Sequence, residues 1–263
     1  MKRNASINIA WSALLVLLCI VQQRVAALPT RIVSSGHFNN PLVLIEAGET
    51  FFRMTNDRQG WTQLYPPVGA TLGDWNGIGS HGTITLRGYD DDIVRSTDGG
   101  ATWDITGRTP ITGGALYASP VLDTLFLCYD HRVYRSEDAG AEWTQVRDGG
   151  CYGVAFSPDF GDDGIAFLGL TGNIYKTQDG GDTWVEVWDY ESPWTTKGGV
   201  HSYYPSYPCR LVVSPHFTQD RTVFANCGAT RLLKSTDGGD SWSEMYQFPF
   251  LAPATNLAIS PRY

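Results

Sequence analysis

The sequence lacks the short motifs that mark several common kinds of enzyme. It has no G-x-S-x-G nucleophile elbow and no glycine-rich loop followed by Lys of the kind that binds phosphate. Its histidines are few and do not have the spacing of zinc ligands: His37, His81, His131, His201 and His216. We therefore predict neither a cofactor nor a metal site.

Two acidic clusters are the alternative source of a metal site, because carboxylates bind calcium. Residues 90–92 are three consecutive aspartates, and Asp159, Asp162 and Asp163 lie close together further along the chain. Neither cluster fits the ligand spacing of an EF-hand loop. We interpret both as solvated turn residues.

Basic residues and long apolar runs are also scarce. Residues 7–21 form an uncharged, mostly apolar run of about 15 residues, shorter than the roughly 20 that a membrane-spanning helix needs. Lys2 and Arg3 precede this run and small residues end at Ala27, which predicts a secretory signal peptide over residues 1–27. We expect a secreted protein, extracellular or periplasmic, with no membrane span once that peptide is removed. Cleavage leaves 16 basic and 27 acidic side chains, and this formal charge of −11 disfavours nucleic-acid binding.

One eight-residue pattern occurs four times in the sequence. Each copy has Ser or Thr, then Asp two positions later, Gly two positions further on, and Trp at the end. The residues at these positions are Ser96, Asp98, Gly100 and Trp103; Ser136, Asp138, Gly140 and Trp143; Thr177, Asp179, Gly181 and Trp184; and Ser235, Asp237, Gly239 and Trp242. Because Asp, Ser and Thr side chains bind nearby backbone amides, each copy predicts a tight turn between two strands, with a tryptophan packed between sheets. Ala139 replaces the first glycine of the pair in the second copy, so we expect the positive φ at the second glycine.

These copies resemble the Asp-box, or BNR, repeat of the sialidase-like propeller superfamily, and they are also similar to sortilin-type and photosystem assembly-factor-type propellers. The resemblance implies an all-β fold, a β-propeller of four-stranded antiparallel blades, with a box between the third and fourth strands of each blade. Trp61, Trp103, Trp143 and Trp184 are 42, 40 and 41 residues apart, and a blade takes about 40 to 45 residues. WD40 blades have this length too, but they end in Trp-Asp, which differs from the pattern here.

The repeats divide the mature chain, residues 28–263, into five units. We place them at residues 30–64, 69–106, 114–147, 151–188 and 209–247, the first with a decayed box that ends at Trp61. The phrases VAFSPDF, LVVSPHF and LAISPRY, at residues 154–160, 211–217 and 257–263, each predict a first strand that runs into a Ser-Pro turn. Residues 254–263 are then either a strand that completes a blade near the N-terminus or the first strand of a sixth blade in an incomplete or truncated propeller, and we favour the second.

The resemblance also bears on catalysis. In sialidase-like propellers the boxes lie on the face opposite the active site, so we predict a structural role for the box residues and name no catalytic residue. The sialidase mechanism that the resemblance implies needs three arginines, a Tyr nucleophile with a Glu partner, and an Asp acid/base. Arg53 is a superficial match, but it stands before its box like Arg95 and Arg135, which indicates a structural role.

Four cysteines outside the signal peptide occupy related places in the units. Cys128 and Cys227 each lie ten residues before a box Asp, and Cys151 and Cys209 precede first strands. We predict the disulfides Cys209–Cys227, within an antiparallel hairpin, and Cys128–Cys151, between adjacent blades, which an oxidising compartment permits. Buried free thiols are the alternative.

The period breaks once, because Trp184 and Trp242 are 58 residues apart. The excess lies at residues 189–208, in a connection from a fourth strand to a first strand that emerges opposite the boxes. Long loops in compact domains are often functional, and aromatic side chains with hydroxyls stack on sugars or anchor protein contacts. We predict a binding surface made by Tyr190, Trp194, His201, Tyr203, Tyr204 and Tyr207. The alternative is that these rings plug the central channel.

Two functions remain open from the sequence. The first is a secreted non-catalytic propeller that binds a protein or a glycan through its loop face. The second is a secreted glycoside hydrolase, sialidase-like or endoglucanase-like, or a fragment of one, which would need paired carboxylates about 5 to 9.5 Å apart. We favour binding, because it requires only an exposed aromatic surface.

Overall fold

The protein, seen in a computed structural model, is built almost entirely from antiparallel strands. The structure describes residues 31–34, 43–47, 50–54, 60–67, 83–120, 123–129, 131–149, 151–189, 209–227, 231–247 and 257–260. The predicted signal peptide and the aromatic loop at residues 190–208 lie outside the described residues. Within the described ranges, no helix is long and apolar enough to cross a membrane.

The described strands form five sheets, and in each sheet consecutive strands pair as a meander. The first sheet contains β1 (Arg31–Ser34), β2 (Val43–Ala47), β3 (Thr50–Met54) and β4 (Trp61–Leu64), and the second contains β5 (Ile84–Arg87), β6 (Asp92–Ser96) and β7 (Asp104–Arg108). The third sheet contains β8 (Ala115–Ala118), β9 (Leu125–Tyr129), β10 (Arg132–Ser136) and β11 (Thr144–Asp148). The fourth contains β12 (Gly153–Phe156), β13 (Ala166–Gly169), β14 (Asn173–Thr177) and β15 (Val185–Asp189). The fifth contains β16 (Arg210–Val213), β17 (Val223–Cys227), β18 (Arg231–Ser235) and β19 (Ser243–Gln247).

The core lies between neighbouring sheets rather than within any one of them. Phe126 of the third sheet is buried in one cluster with Leu168 of the fourth, and Phe167 of the fourth is buried with Ala225 of the fifth. Opposite faces of one strand therefore pack against different neighbours, since successive side chains in a strand point to opposite faces. Five antiparallel sheets stacked in this way form the all-β propeller expected from the repeats.

The pairing of the last two strands is irregular at the same place in four sheets. The register shifts between Ile93 and Val94, and at the corresponding positions of the later sheets: Val133/Tyr134, Ile174/Tyr175 and Leu232/Leu233. The first sheet pairs β3 with β4 in a continuous register. Its decayed box is one residue shorter between Asp57 and Trp61 than the other boxes. A β-bulge adds one residue and increases the local twist, so the full-length boxes accompany bulged, more twisted blades.

Two of the three Ser-Pro phrases end first strands as expected, through a hydrogen bond that the sequence had not revealed. The hydroxyl of Ser157 donates to Oδ2 of Asp163 at 2.6 Å, across the short helix α1 (Phe160–Asp163). Oδ1 of Asp163 accepts the backbone N–H of Ile165 at 2.8 Å. Ser214 and Asp220 make the same bond, at 2.6 Å, across α2 (Phe217–Asp220). Asp163 is thus a bonded turn residue rather than a freely solvated one.

The remaining parts of the predicted units are only partly described. The first strand expected in the second unit, within residues 69–82, lies outside the described residues. Residues 257–260 are described and are not assigned to a strand, while the rest of residues 254–263 lie outside the described part. The first sheet contains four strands of its own, so it is complete without a strand from the C-terminal segment.

Candidate functional site

The sheets expose two ends with different chemistry. Each Asp box joins a third strand to a fourth strand, and we call the end of the sheets that carries these turns the box face. Antiparallel strands place the ends of second and fourth strands, and the starts of first and third strands, at the opposite end, which we call the loop face. Residues 190–208 leave β15 and return to β16 on the loop face.

Within each box, the first hydroxyl and the aspartate close the turn by the same set of hydrogen bonds. In the second sheet, the Ser96 hydroxyl donates to Oδ1 of Asp98 at 2.8 Å and accepts the N–H of Gly100 at 2.7 Å. The backbone N–H of Thr102 donates to Oδ1 of Asp98 at 2.9 Å, and its hydroxyl donates to Oδ2 at 2.7 Å. The corresponding bonds recur in the later boxes at Ser136/Asp138, Thr177/Asp179 and Ser235/Asp237. These bonds leave the carboxylates committed to the turn, which they stabilise.

The hydroxyl before the tryptophan is a box residue that the sequence reasoning missed. Thr102, Thr183 and Ser241 donate their hydroxyls to the box aspartate, whereas Glu142 at the same position of the third sheet donates only its backbone N–H. The signal was present, because three of the four copies have Thr or Ser directly before Trp.

Positive φ occurs at the second glycine of the pair, as expected, and at the first position as well. Gly99 has a φ of 72° and Gly100 a φ of 92°, and even Ala139 has a φ of 59°. The two positions of the fourth-sheet box differ instead in the space that a side chain would find there. A Cβ on Gly181 would lie 2.6 Å from the Phe126 ring of the preceding sheet, whereas a Cβ on Gly180 would meet nothing within 4 Å. The second glycine is therefore required by close packing between blades as well as by its backbone angle.

In the first four sheets, the basic residue before the box reaches forward to the next unit. Arg135 donates to the carbonyl of Gly180 at 3.0 Å and to the carboxylate of Asp182 at 2.6 Å, both in the box of the fourth sheet. Lys176 is buried and pairs with Asp240, in the box of the fifth sheet, at 2.6 Å. Arg53 likewise donates to the Gly99 carbonyl. Arg53 thus bridges two blades through a backbone carbonyl.

The same hydrogen bonds alter the acidity of the box aspartates. Bonds from the backbone and hydroxyl of Thr102 hold the pKa of Asp98 well below its usual range. Burial would raise the pKa of Asp179, but bonds from the hydroxyl and amide of Thr183 outweigh it and lower the pKa from 3.8 to about 2. The pKa is lowered in the other two boxes as well, at Asp138 and Asp237. Carboxylates held ionised in this way are poor proton donors at neutral pH.

Two disulfides lie on the loop face. Cys128, near the end of β9, is bonded to Cys151, just before β12 of the next sheet. Cys209, just before β16, is bonded to Cys227, at the end of the neighbouring strand β17. These are the pairs expected from the sequence, the first between blades and the second within a hairpin. The second disulfide fixes the residue to which the loop at 190–208 returns.

Exposed tyrosines stand next to these cysteines. Tyr129 follows Cys128 and is 39% exposed, and Tyr152 follows Cys151 and is 44% exposed. The Arg210 guanidinium donates to the carbonyl of Tyr152 and so links this position to the start of β16. Tyr152 directly precedes β12 and Arg210 begins β16, so both lie at the starts of first strands. The sequence reasoning missed Tyr129 and Tyr152, although their position beside cysteines was visible.

One described tyrosine has a glutamate partner, as the sialidase mechanism would require. The hydroxyl of Tyr175 donates to Oε2 of Glu186 at 2.6 Å, and the Arg147 guanidinium lies 3.9 Å from the centre of its ring. The hydrogen bond to Glu186, together with burial, raises the pKa of Tyr175. A nucleophilic phenolate needs the opposite shift. The contact between Arg147 of β11 and Tyr175 of β14 packs the third sheet against the fourth.

In each acidic cluster, one carboxylate is bonded within the protein. Asp92 pairs with Arg108 at 3.0 Å, and Asp163 bonds Ser157 as described above. Among the residues that the structure describes, no group of three or more His, Cys, Asp or Glu side chains is arranged to hold a metal ion.

The predicted recognition residues of the long loop all lie outside the described residues: Tyr190, Trp194, His201, Tyr203, Tyr204 and Tyr207. The binding surface predicted there stays a prediction. The structure does describe the residues on either side of this loop, Asp189 at the end of β15 and the disulfide-bonded Cys209 before β16.

Known proteins resemble this chain in fold rather than in sequence. No protein-family model and no curated protein matches the sequence. The GH74 xyloglucanase from Xanthomonas campestris matches with a TM-score of 0.52 and 19% identity over 81% of this chain, which spans 37% of the xyloglucanase chain. A chain of the nidogen/laminin complex matches with a TM-score of 0.53 and 10% identity, over 85% of this chain and 80% of that chain. YCF48 bound to a D1 peptide matches with a TM-score of 0.50 and 15% identity, over 84% of this chain and 70% of that chain.

These neighbours are β-propeller proteins, and at such identities the likeness shows the fold alone. They include a glycoside hydrolase as well as propellers solved with a peptide or a protein partner. The fold is thus compatible with either function, and the distinction rests on the residues of the loop face.

Proposed function

We propose that this protein is a secreted Asp-box propeller that binds a protein or a glycan through its loop face without catalysing a reaction. The observation that carries the proposal is the pair of exposed tyrosines, Tyr129 and Tyr152, held beside the two ends of one disulfide. Tyrosine offers a large ring and a polar hydroxyl at little cost in side-chain entropy, which suits it to recognition.

The frame around these tyrosines supports the proposal. The Cys128–Cys151 bond joins two sheets at the point where both tyrosines emerge, and Arg210 bonds the backbone of Tyr152. A rigid surface loses little conformational entropy when a ligand binds. The loop at residues 190–208, with four tyrosines and a tryptophan in its sequence, leaves and re-enters the fold on the same face. Together these segments would supply a wide aromatic surface.

The comparisons support a protein or peptide ligand in a general way. YCF48 was solved bound to a D1 peptide, and the nidogen/laminin structure is itself a complex. Disulfides form and persist in oxidising compartments, which supports secretion and the signal peptide expected at residues 1–27.

A glycoside hydrolase is the second candidate, and the xyloglucanase neighbour is the observation that favours it. Within the described residues, the carboxylates of the four boxes are committed to turns and the Tyr175–Glu186 pair has the wrong acidity for a nucleophile. We therefore rank hydrolysis below binding.

The deciding experiment measures binding and turnover on the same purified protein. We expect saturable binding to one member of a panel of xyloglucan oligosaccharides, sialylated oligosaccharides and immobilised peptides, without release of reducing sugar or sialic acid. Tyr152→Ala should weaken that binding about fivefold, as the loss of one stacked ring costs about 1 kcal/mol. Ile105→Ala, an exposed residue on the outer strand β7, is the matched control and should bind like the unaltered protein. Enzyme-like turnover of xyloglucan, β-glucan or a sialoside would contradict the proposal.

A further inference from the structure

In the fourth sheet, the part of one face that β12, β13 and β14 form is covered by the fifth sheet. Ala155, Phe167 and Ile174 share this face, because Ala155 pairs with Phe167 across β12 and β13, and Ile174 pairs with Gly169, two residues along β13. All three side chains are buried, and Phe167 and Ile174 belong to a cluster with Val223 and Ala225 of the fifth sheet. We call this the forward face, since it points to the following unit.

The forward face of the fifth sheet is built in the same way but is less covered. Val212 pairs with Phe224, and Phe224 pairs with Lys234, just as Ala155 pairs with Phe167 and Phe167 with Lys176. Val212, Phe224 and Leu232 are half-buried, whereas their counterparts in the fourth sheet are buried. Full burial of an exposed side chain of this size is worth about 1.5 to 3 kcal/mol, so these half-buried side chains would gain a part of that free energy from further covering.

The element that covers the fourth sheet is the first strand of the fifth. β16 contacts both β12 and β13, and Leu211 and Val213 pack against the cluster between the two sheets. The preceding unit repeats this arrangement, since Val154 and Phe156 of β12 belong to the cluster between the third and fourth sheets. In both cases the first and third residues of a Ser-Pro phrase pack backward onto the preceding unit.

The chain contains a third Ser-Pro phrase, LAISPRY, at residues 257–263. Leu257 and Ile259 are its first and third residues, and both are half-buried, while Ala258 and Ser260 are exposed. This alternation has the period of a strand with one face against the protein. It places Leu257 and Ile259 where Leu211 and Val213 stand in the LVVSPHF phrase.

We propose that the forward face of the fifth sheet is a docking surface for a Ser-Pro first strand, and that the C-terminal segment beginning at Leu257 is its occupant. Leu257 and Ile259 then cover Phe224 and Val212 as Leu211 and Val213 cover the fourth sheet. The first sheet already has four strands, so the segment adds a sixth unit to the stack rather than completing the first.

Hydrogen exchange on the full chain tests this proposal with a matched set of variants. Leu257→Asp and Ile259→Asp place a charge on the face that we expect to dock, and Ala258→Asp places the same charge on the exposed side. We expect amide exchange in β17 and β18 to become about tenfold faster in the first two variants and to stay unchanged in the third, because local protection follows packing. Exchange in β13 and β14, which face other partners, is the internal control for folding.

Equal exchange in all three variants and the unaltered protein would overturn the proposal. The proposal would also be overturned if a second copy of the chain were the occupant. Sedimentation would detect that dimer. In that case the protein would be a dimer that Phe224→Asp dissociates and Leu257→Asp does not. A monomer in which Phe224→Asp and Leu257→Asp accelerate exchange in the same segments supports the C-terminal segment as the occupant.

Discussion

The box face and the loop face belong to the same strands, yet they are built on different principles. At the box face, four turns repeat the same bonds from hydroxyl to aspartate, and each turn's second glycine packs on the preceding sheet. At the loop face, one disulfide joins the third sheet to the fourth, a second lies within the fifth sheet, and exposed tyrosines stand beside the first disulfide. The repeated bonds therefore occur at the end of the blades where the turns stabilise the fold. The features that differ between units occur at the opposite end, where loops can vary.

The largest effect should come from the second glycine of a box. Gly181→Ala adds a Cβ at a φ of 100° and within 2.6 Å of Phe126, so backbone strain and overpacking should together lower the free energy of unfolding by about 2 to 5 kcal/mol. Gly180→Ala, at the first position, meets only the backbone cost and should lose about 1 kcal/mol. Chemical denaturation of both variants measures the difference, and equal losses would show that packing between blades does not set the glycine requirement.

Removing the Cys209–Cys227 disulfide should have the next largest effect. The bond closes a segment with a sequence separation of 18, so Cys209→Ser with Cys227→Ser should cost about 2 to 4 kcal/mol. Because this bond fixes the return point of the long loop, ligand binding should weaken further than the loss of stability explains. Binding measured well below the melting temperature separates the two effects. Unchanged binding in a folded variant would show that the disulfide does not influence ligand binding by the loop.

The contrast between the faces also shows how far the sequence could be interpreted. Box residues were predictable because each bond is local, joining residues two to four positions apart, and Ser96, Asp98 and Gly100 could be understood from turn chemistry alone. The forward reach of Arg135 to Gly180 joins residues 45 positions apart, and no local pattern announces it. The positive φ at Ala139 was missed because turn geometry overrode a residue preference.

At the loop face, the sequence predicted the cysteine pairs but not the neighbouring surface. Equivalent strand positions in the repeat placed Cys128 near Cys151 and Cys209 near Cys227, and the structure joins those pairs. Whether Tyr129 and Tyr152 are exposed depends on how two sheets meet, which a single repeat does not encode. The long loop has no counterpart in the other units, so the period offers no template for it.

Acid should weaken the box face selectively. The four box aspartates have lowered pKa values in the folded protein, so their contribution is complete above the unfolded value near 3.8 and is lost as the pH falls through the folded values. We expect the melting temperature to fall mainly between about pH 4 and pH 2. Asp179→Asn should reduce this fall, whereas Asp104→Asn, an exposed residue outside the boxes, is the control. If the melting temperature of Asp179→Asn fell with pH as much as that of the unaltered protein, Asp179 would not be a source of the acid sensitivity.

The smallest effect is expected from repairing the one imperfect box. In the third sheet, Ala139 holds a φ of 59° where the other boxes have glycine, and Glu142 replaces the hydroxyl residue that bonds the box aspartate. Ala139→Gly relieves backbone strain of about 1 to 2 kcal/mol but loosens the unfolded chain by about 0.4 to 1 kcal/mol, so the net gain should be about 0.5 kcal/mol. Glu142→Thr adds one hydroxyl bond to Asp138 and should contribute a similar amount. Together they should raise the melting temperature by about 2 to 4 °C. Ala101→Gly is the control. Ala101 follows the glycine pair in the second sheet, so this substitution should not stabilise the protein. A repaired box that melts no higher than the original would show that the third sheet has adapted around Ala139, and that the four boxes are not energetically equivalent copies.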